Sequence, residues 1–223
     1  MSWWQKAASE TQVTHRQRVW LYILATIIMF LLLIPTVIVI PMSFSESQYL
    51  EFPPREWSLR WYQEYLNTPR WVNATITSFK VATLTMLVAT PFGTMAAYGL
   101  FVSGGRMSKM LFFTLMTPMI VPVILIAIGT FYVFGRIGLV NSIFGLVMAH
   151  TVLSVPIVMI IVTSALRTYD LNQERVAQSL GSTRIRAFFE ITLPQLKFSI
   201  VTAALLAFLT SFDEVIISIF LSE

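Results

Sequence analysis

The chain has 223 residues, of which 56% are hydrophobic and 12% charged, with 17 Phe, 11 Met and a mean hydropathy of +0.73. These values exclude a water-soluble domain; several apolar runs reach the ~20 residues needed to cross a hydrocarbon core of about 30 Å, so the fold class is an all-α polytopic membrane protein. The formal net charge of +4 is read as membrane topology and not as nucleic-acid binding, because basic residues in such chains mostly sit in cytoplasmic loops.

The first predicted span covers 19–41 and follows the polar stretch "THRQRVW". It is longer than the about 7–15 apolar residues of a secretory signal, and "PMSFSES" gives no cleavage pattern, so it is read as an uncleaved anchor. Residues 1–18 form an amino-terminal segment, and 19–223 form the transmembrane domain. In the polar loop 42–71, Trp57, Trp61, Tyr62 and Tyr65 are spaced for a short amphipathic helix at the membrane interface. Four further spans are expected at 72–101, 110–134, 142–166 and 198–221, joined early on by the short loops "VSGGRMSK" and "GRIGLVN". Pro91, Pro118, Pro122 and Pro156 fall within spans and predict kinks, which occur both around transport pathways and in membrane helices generally. Gly93 and Ala97 have the small-xxx-small spacing that lets helices approach closely.

With the amino end inside, cytoplasmic segments hold ten basic residues: Lys6, Arg16, Arg18, Arg106, Lys109, Arg167, Arg175, Arg184, Arg186 and Lys197. The outer loops hold four, Arg55, Arg60, Arg70 and Arg136. The bias places the amino terminus, and the loop 167–197, in the cytoplasm.

That loop contains "LNQERVAQSLGSTRIRAFFEITLP", residues 171–194. Asp170 is a suitable N-cap, with Gln173 at capping-box distance and Glu174 near the positive end of the helix dipole. Val176 and Leu180 share a face, and Gly181 suits the left-handed position that ends a helix. Ser182 then caps a second helix, "TRIRAFFEI", which should end by Thr192, ahead of Pro194. Val176, Leu180, Ile185, Phe188 and Phe189 are its apolar contact residues. Glu174, Arg175, Arg184, Arg186 and Glu190 keep it out of lipid. A helical hairpin with caps, a glycine stop and apolar faces reads as a docking element.

This segment resembles the cytoplasmic "EAA" loop of permease subunits in binding-protein-dependent ABC importers, whose pattern is E-A-A, three residues, G, nine residues, then I-x-L-P. Gly181, Ile191, Leu193 and Pro194 match it, and Ala177 fills the second alanine position. Arg175 stands where the family has Glu, Val176 where it has the first Ala, and Glu174 is one residue early. "WSLRWYQEYL", "TPMIVPVILI", "MAHTVLSVPIVM" and "AFLTSFDEVIISIFLSE" are similar to segments of the spermidine/putrescine branch, so the resemblance runs from about Val19 onward.

The resemblance implies a type I ABC importer permease fold, with five visible spans where the family usually has six, so that the sixth is absent or truncated here. It also implies coupling through Glu174, Arg175, Ala177, Leu180, Gly181, Ile191, Leu193 and Pro194 to a cytoplasmic ABC ATPase dimer. A second homologous permease subunit and a periplasmic or extracellular solute-binding protein complete the assembly in the inner membrane. No phosphate-binding G-x-x-x-x-G-K-[ST] occurs, so ATP is expected on a separate subunit.

For the pathway, Asp213 and Glu214 lie in an apolar run, where ionisable groups are costly and point to function. They either face a cationic solute or are hydrated near a helix end or paired, for instance with Lys80. His150 is either a pathway group or a hydrogen-bonded packing residue. The solute is expected to be a polyamine; an amino acid derivative, an opine or an iron complex is the alternative. An integral-membrane enzyme is the remote reading, because the spans show no acid–base cluster. No cofactor, metal or catalytic residue is expected: the chain has no Cys and two His.

Overall fold

A computed structural model describes residues 14–222; residues 1–13, with Lys6, and Glu223 lie outside the described residues. The chain divides into two compact units, 1–72 and 73–223.

In the first unit, a 3-10 turn, His15–Arg18, leads into α1, Val19–Met42, which begins at the residue where the apolar run begins. None of its residues is buried. A loop follows, closed by a single bridge between Ser45 and Trp57. The short helix α2, Arg60–Asn67, carries Trp61, Tyr62 and Tyr65 as anticipated, but Trp57, expected on the same helix, precedes it in the bridge with Ser45. Ser43 Oγ and Tyr62 Oη lie 2.7 Å apart and tie the end of α1 to α2.

The second unit is organised around α6, Ile143–Leu166, the most buried apolar helix of the molecule. Ser142 caps it, its hydroxyl accepting from Gly145 N–H at 3.0 Å. Along one side runs α9, Leu193–Phe212, antiparallel to it: Leu196 joins the cluster of Val162 and Leu166, and Ser211 meets His150. The long helix α3, Pro69–Ser103, approaches α6 at Gly93, where an added Cβ would lie 2.7 Å from Val158. Only glycine allows that approach, and Ala97 one turn on is also buried in the seam.

The third expected span is corrected. It is two helices, α4, Gly105–Ile120, and α5, Val123–Ile137, bent by 100°. The cause is Pro122. A proline forces its predecessor out of the helical region, and Val121 sits at φ −77°, ψ 132°. Among the described residues there are therefore four helices long and apolar enough to cross a membrane, or five if this pair counts as one span.

The last expected span, 198–221, is also corrected. Its helix starts earlier and stops at Phe212; after a break, the six-residue α10, Ile216–Leu221, packs against α5 and α6. Ile217 and Leu221 are fully buried there, in a cluster with Val81, Ala127 and Leu146.

Candidate functional site

In its first half the polar segment forms the anticipated helix, α7, Asn172–Ser179, but Leu171 and not Asp170 is its N-cap, without a side-chain cap. Asp170 stands one residue earlier, its carboxylate accepting from Asn172 N–H at 2.9 Å. The capping box does not form, because the Gln173 side chain accepts from Gln195 instead. Gly181 has φ +92°. Its N–H donates to Gln178 O and that of Ser182 to Ala177 O, both at 3.0 Å, which is the Schellman arrangement that closes a helix.

The second half differs in two respects. Thr183, not Ser182, caps α8, Arg184–Ala187, accepting from Arg186 N–H at 3.3 Å. The helix then does not end by Thr192. It widens into a π-type turn, Phe188–Thr192, and continues into α9, so 184–212 is one helix. Pro194 lacks an N–H, and its ring would press on the carbonyl four residues back; a widened turn just before it relieves both defects without stopping the helix.

The hairpin has two opposed faces. On the outer one, Leu180 is 84% exposed, Ile185 72%, Val176 59% and Phe189 58%. The expected contact residues thus separate: these four are open, and Phe188 alone turns inward, where its ring packs 4.5 Å from that of Tyr98 on α3. Arg175 is exposed and donates to Asn172 Oδ1 at 3.3 Å. Ala177, Ile191 and Leu193 are half-buried, and Gly181 and Pro194 are exposed.

Glu174 is on the inner face and only 3% exposed. Its Oε2 accepts from Tyr98 Oη at 2.7 Å, and its Oε1 accepts from the Thr192 hydroxyl. Thr192 spends its one proton on Glu174, so Tyr169 Oη, 2.9 Å away, is the donor in the Tyr169–Thr192 bond. Burial pushes the Tyr169 phenol above its ordinary value, which keeps it a neutral donor. Arg175 and Arg184 line a small cleft beside Glu174 but make no ion pair with it. Tyr98, Tyr169 and Thr192 were not singled out in the sequence; Tyr98 is 76 residues away from Glu174 along the chain, and no local pattern connects them.

At the other end of α9, Asp213 is exposed and Glu214 half-buried at the break before α10. Glu214 Oε1 accepts from Ile217 N–H at 3.1 Å, capping α10. His150 is 2% exposed, with Nδ1 2.9 Å from Ser211 Oγ and Nε2 3.4 Å from Ser218 Oγ. Among the described residues neither carboxylate forms an ion pair, with Lys80 or any other cation.

Residues 89–222 match the family of binding-protein-dependent transport system inner membrane components. The chain belongs to that family. It is an ABC importer permease of the type I fold, a multi-pass inner-membrane transport protein. The spermidine/putrescine transport system permease protein PotC of Haemophilus influenzae is 29% identical over 196 residues, covering 86% of this chain and 74% of that one. The putrescine transport system permease protein PotI of Escherichia coli is 30% identical over 74% of this chain and 62% of its own length. The molybdenum transport system permease protein ModB of Mycobacterium tuberculosis is 30% identical over 72% of this chain and 63% of its own. The permease described here thus spans between about three fifths and three quarters of the length of these relatives.

Proposed function

We propose that this permease forms part of the pathway for a polyamine of the spermidine/putrescine kind, and that the 167–197 loop docks on a cytoplasmic ABC ATPase dimer. The observation that carries the reading is the two-faced hairpin. Four large apolar side chains stand open on its outer face, while Glu174 ties its inner face to α3 and to the start of α9. A surface that is apolar outside and anchored inside suits a lever: movement of a partner on the outer face is passed to the spans as a rigid displacement. In this reading the amino end and the loop lie in the cytoplasm, a solute-binding protein delivers the solute from outside, and a second homologous permease completes the pathway. ATP is bound and hydrolysed by the ATPase, and this subunit does no covalent chemistry.

The polyamine assignment is supported by the names of the first two relatives and by Asp213, an exposed carboxylate at a helix break that suits an ammonium group. A second reading keeps the importer and changes the solute, since a molybdenum permease is similar to the same degree. Reconstitution tests both. The permease, its partner permease and the ATPase are placed in proteoliposomes with the cognate binding protein, and ATP-dependent uptake of labelled putrescine and spermidine is measured. Uptake of another ligand of the binding protein, without polyamine uptake, replaces the substrate. Absence of any ATP-dependent uptake of that protein's ligands sinks the importer reading.

A further inference from the structure

At the end of α6 that leads into the loop, a groove of about 630 Å³ opens between α3, α4 and α6. Its long part is apolar: Leu100 and Phe101 from α3 face Phe112 and Phe113 from α4. Its mouth is basic, with Lys109 from α4 and Arg167 just past the end of α6. Both cations are exposed, and among the described residues neither has a carboxylate within ion-pair distance. Thr163 lines the same groove, and its hydroxyl is buried with no hydrogen-bond partner. Helix α4 begins at the groove, at Gly105, without a side-chain cap, so its free N–H groups add positive potential there.

Each feature constrains the occupant. Two unpaired cations and a helix start call for an anion. The aromatic and aliphatic walls call for a hydrocarbon chain attached to it, because a soluble anion would leave that length wet. The groove lies at the end of α6, one of the helices long and apolar enough to cross a membrane, and basic pockets between helices at a membrane surface suit anionic lipid headgroups. A cationic solute would be repelled.

We propose that this groove holds one anionic phospholipid, with its phosphate on Lys109 and Arg167 and an acyl chain against Leu100, Phe112 and Phe113. The site is independent of which solute the permease carries.

The test uses the full chain purified from membranes with its associated subunits, delipidated in detergent and titrated with phosphatidylglycerol or with phosphatidylethanolamine of the same acyl chains. Bound lipid is counted by native mass spectrometry. One phosphatidylglycerol is expected to bind in clear preference to phosphatidylethanolamine. Lys109→Ala and Arg167→Ala should each weaken it about fivefold, and together about 25-fold, while Arg106→Ala, the same charge removed outside the groove, should leave it within about twofold. Lys109→Gln, which preserves much of the stem, serves if the double variant does not accumulate. Inorganic phosphate should not displace the lipid. Equal binding of the two lipids, an equal effect of Arg106→Ala, or displacement by phosphate alone each overturns the proposal. So does a Phe113→Cys variant that cross-links to a partner subunit, since protein would then cover the groove.

Discussion

Replacing Glu174 by Ala separates the loop's inner anchor from its outer face. In the parent, one carboxylate accepts from Tyr98 and Thr192 inside the protein, without an ion pair. Hydrogen bonds to a charged group contribute about 1.5–3 kcal/mol each, and two buried hydroxyls left without an acceptor cost a further about 1–3 kcal/mol each. Burying the carboxylate is itself costly, and its removal offsets part of that loss. A net weakening of about 3 kcal/mol in the docking of α7 on α3 is expected, a factor of about 150 in the local opening equilibrium. Hydrogen–deuterium exchange of the purified permease measures it directly: amides of 171–192 should exchange roughly 100-fold faster, while those of α6 stay protected. Glu174→Gln retains one acceptor and should fall between. A double-mutant cycle with Tyr98→Phe should show a coupling of at least about 1 kcal/mol. Unchanged exchange in Glu174→Ala, or strict additivity with Tyr98→Phe, would refute the anchor.

Further outcomes follow from other contacts. Gly93→Ala places a Cβ 2.7 Å from Val158 and should lower stability by about 1–3 kcal/mol, with Val158→Ala restoring part of it in a thermal melt in detergent. Leu180→Glu and Ile185→Glu alter exposed side chains, so the fold should survive while ATPase co-purification falls at least about tenfold. His150→Ala leaves Ser211 and Ser218 without their ring partner and should cost about 1–3 kcal/mol in stability, with the transport KM unchanged if the histidine only packs. Asp213→Asn should raise the KM for a polyamine about fivefold or more, whereas Glu214→Gln, whose remaining carbonyl can still cap α10, should change it little.

The first and fourth spans were legible because hydropathy over some twenty residues depends on little else: α1 and α6 begin and end within two residues of the expected limits. What the sequence concealed lies at prolines and over long separations. Pro122 was visible as a kink, but its 100° bend goes with where the two halves pack, α4 on α6 and α5 on α10. Pro194 looked like a stop and is instead absorbed by a π-type turn. The family motif directed attention to Arg175, which stands at the usual Glu position, while the carboxylate one residue earlier points inward. That inversion follows from the helical step of about 100° per residue, which turns adjacent side chains to different faces. Which face is inner depends on Tyr98, and only the fold brings Tyr98 near.

The central claim is that the outer face of the hairpin meets an ATPase. The chain has no cysteine, so Leu180→Cys introduces a unique thiol at the hairpin's most open apolar position. Membranes containing this variant and the ATPase, carrying single cysteines along its candidate groove, are treated with a short bifunctional cross-linker with and without ATP. The account predicts a permease–ATPase cross-link whose yield changes with ATP, and none from Ile128→Cys on α5. No cross-link from Leu180→Cys to any ATPase position, under conditions where the ATPase co-purifies, would contradict it.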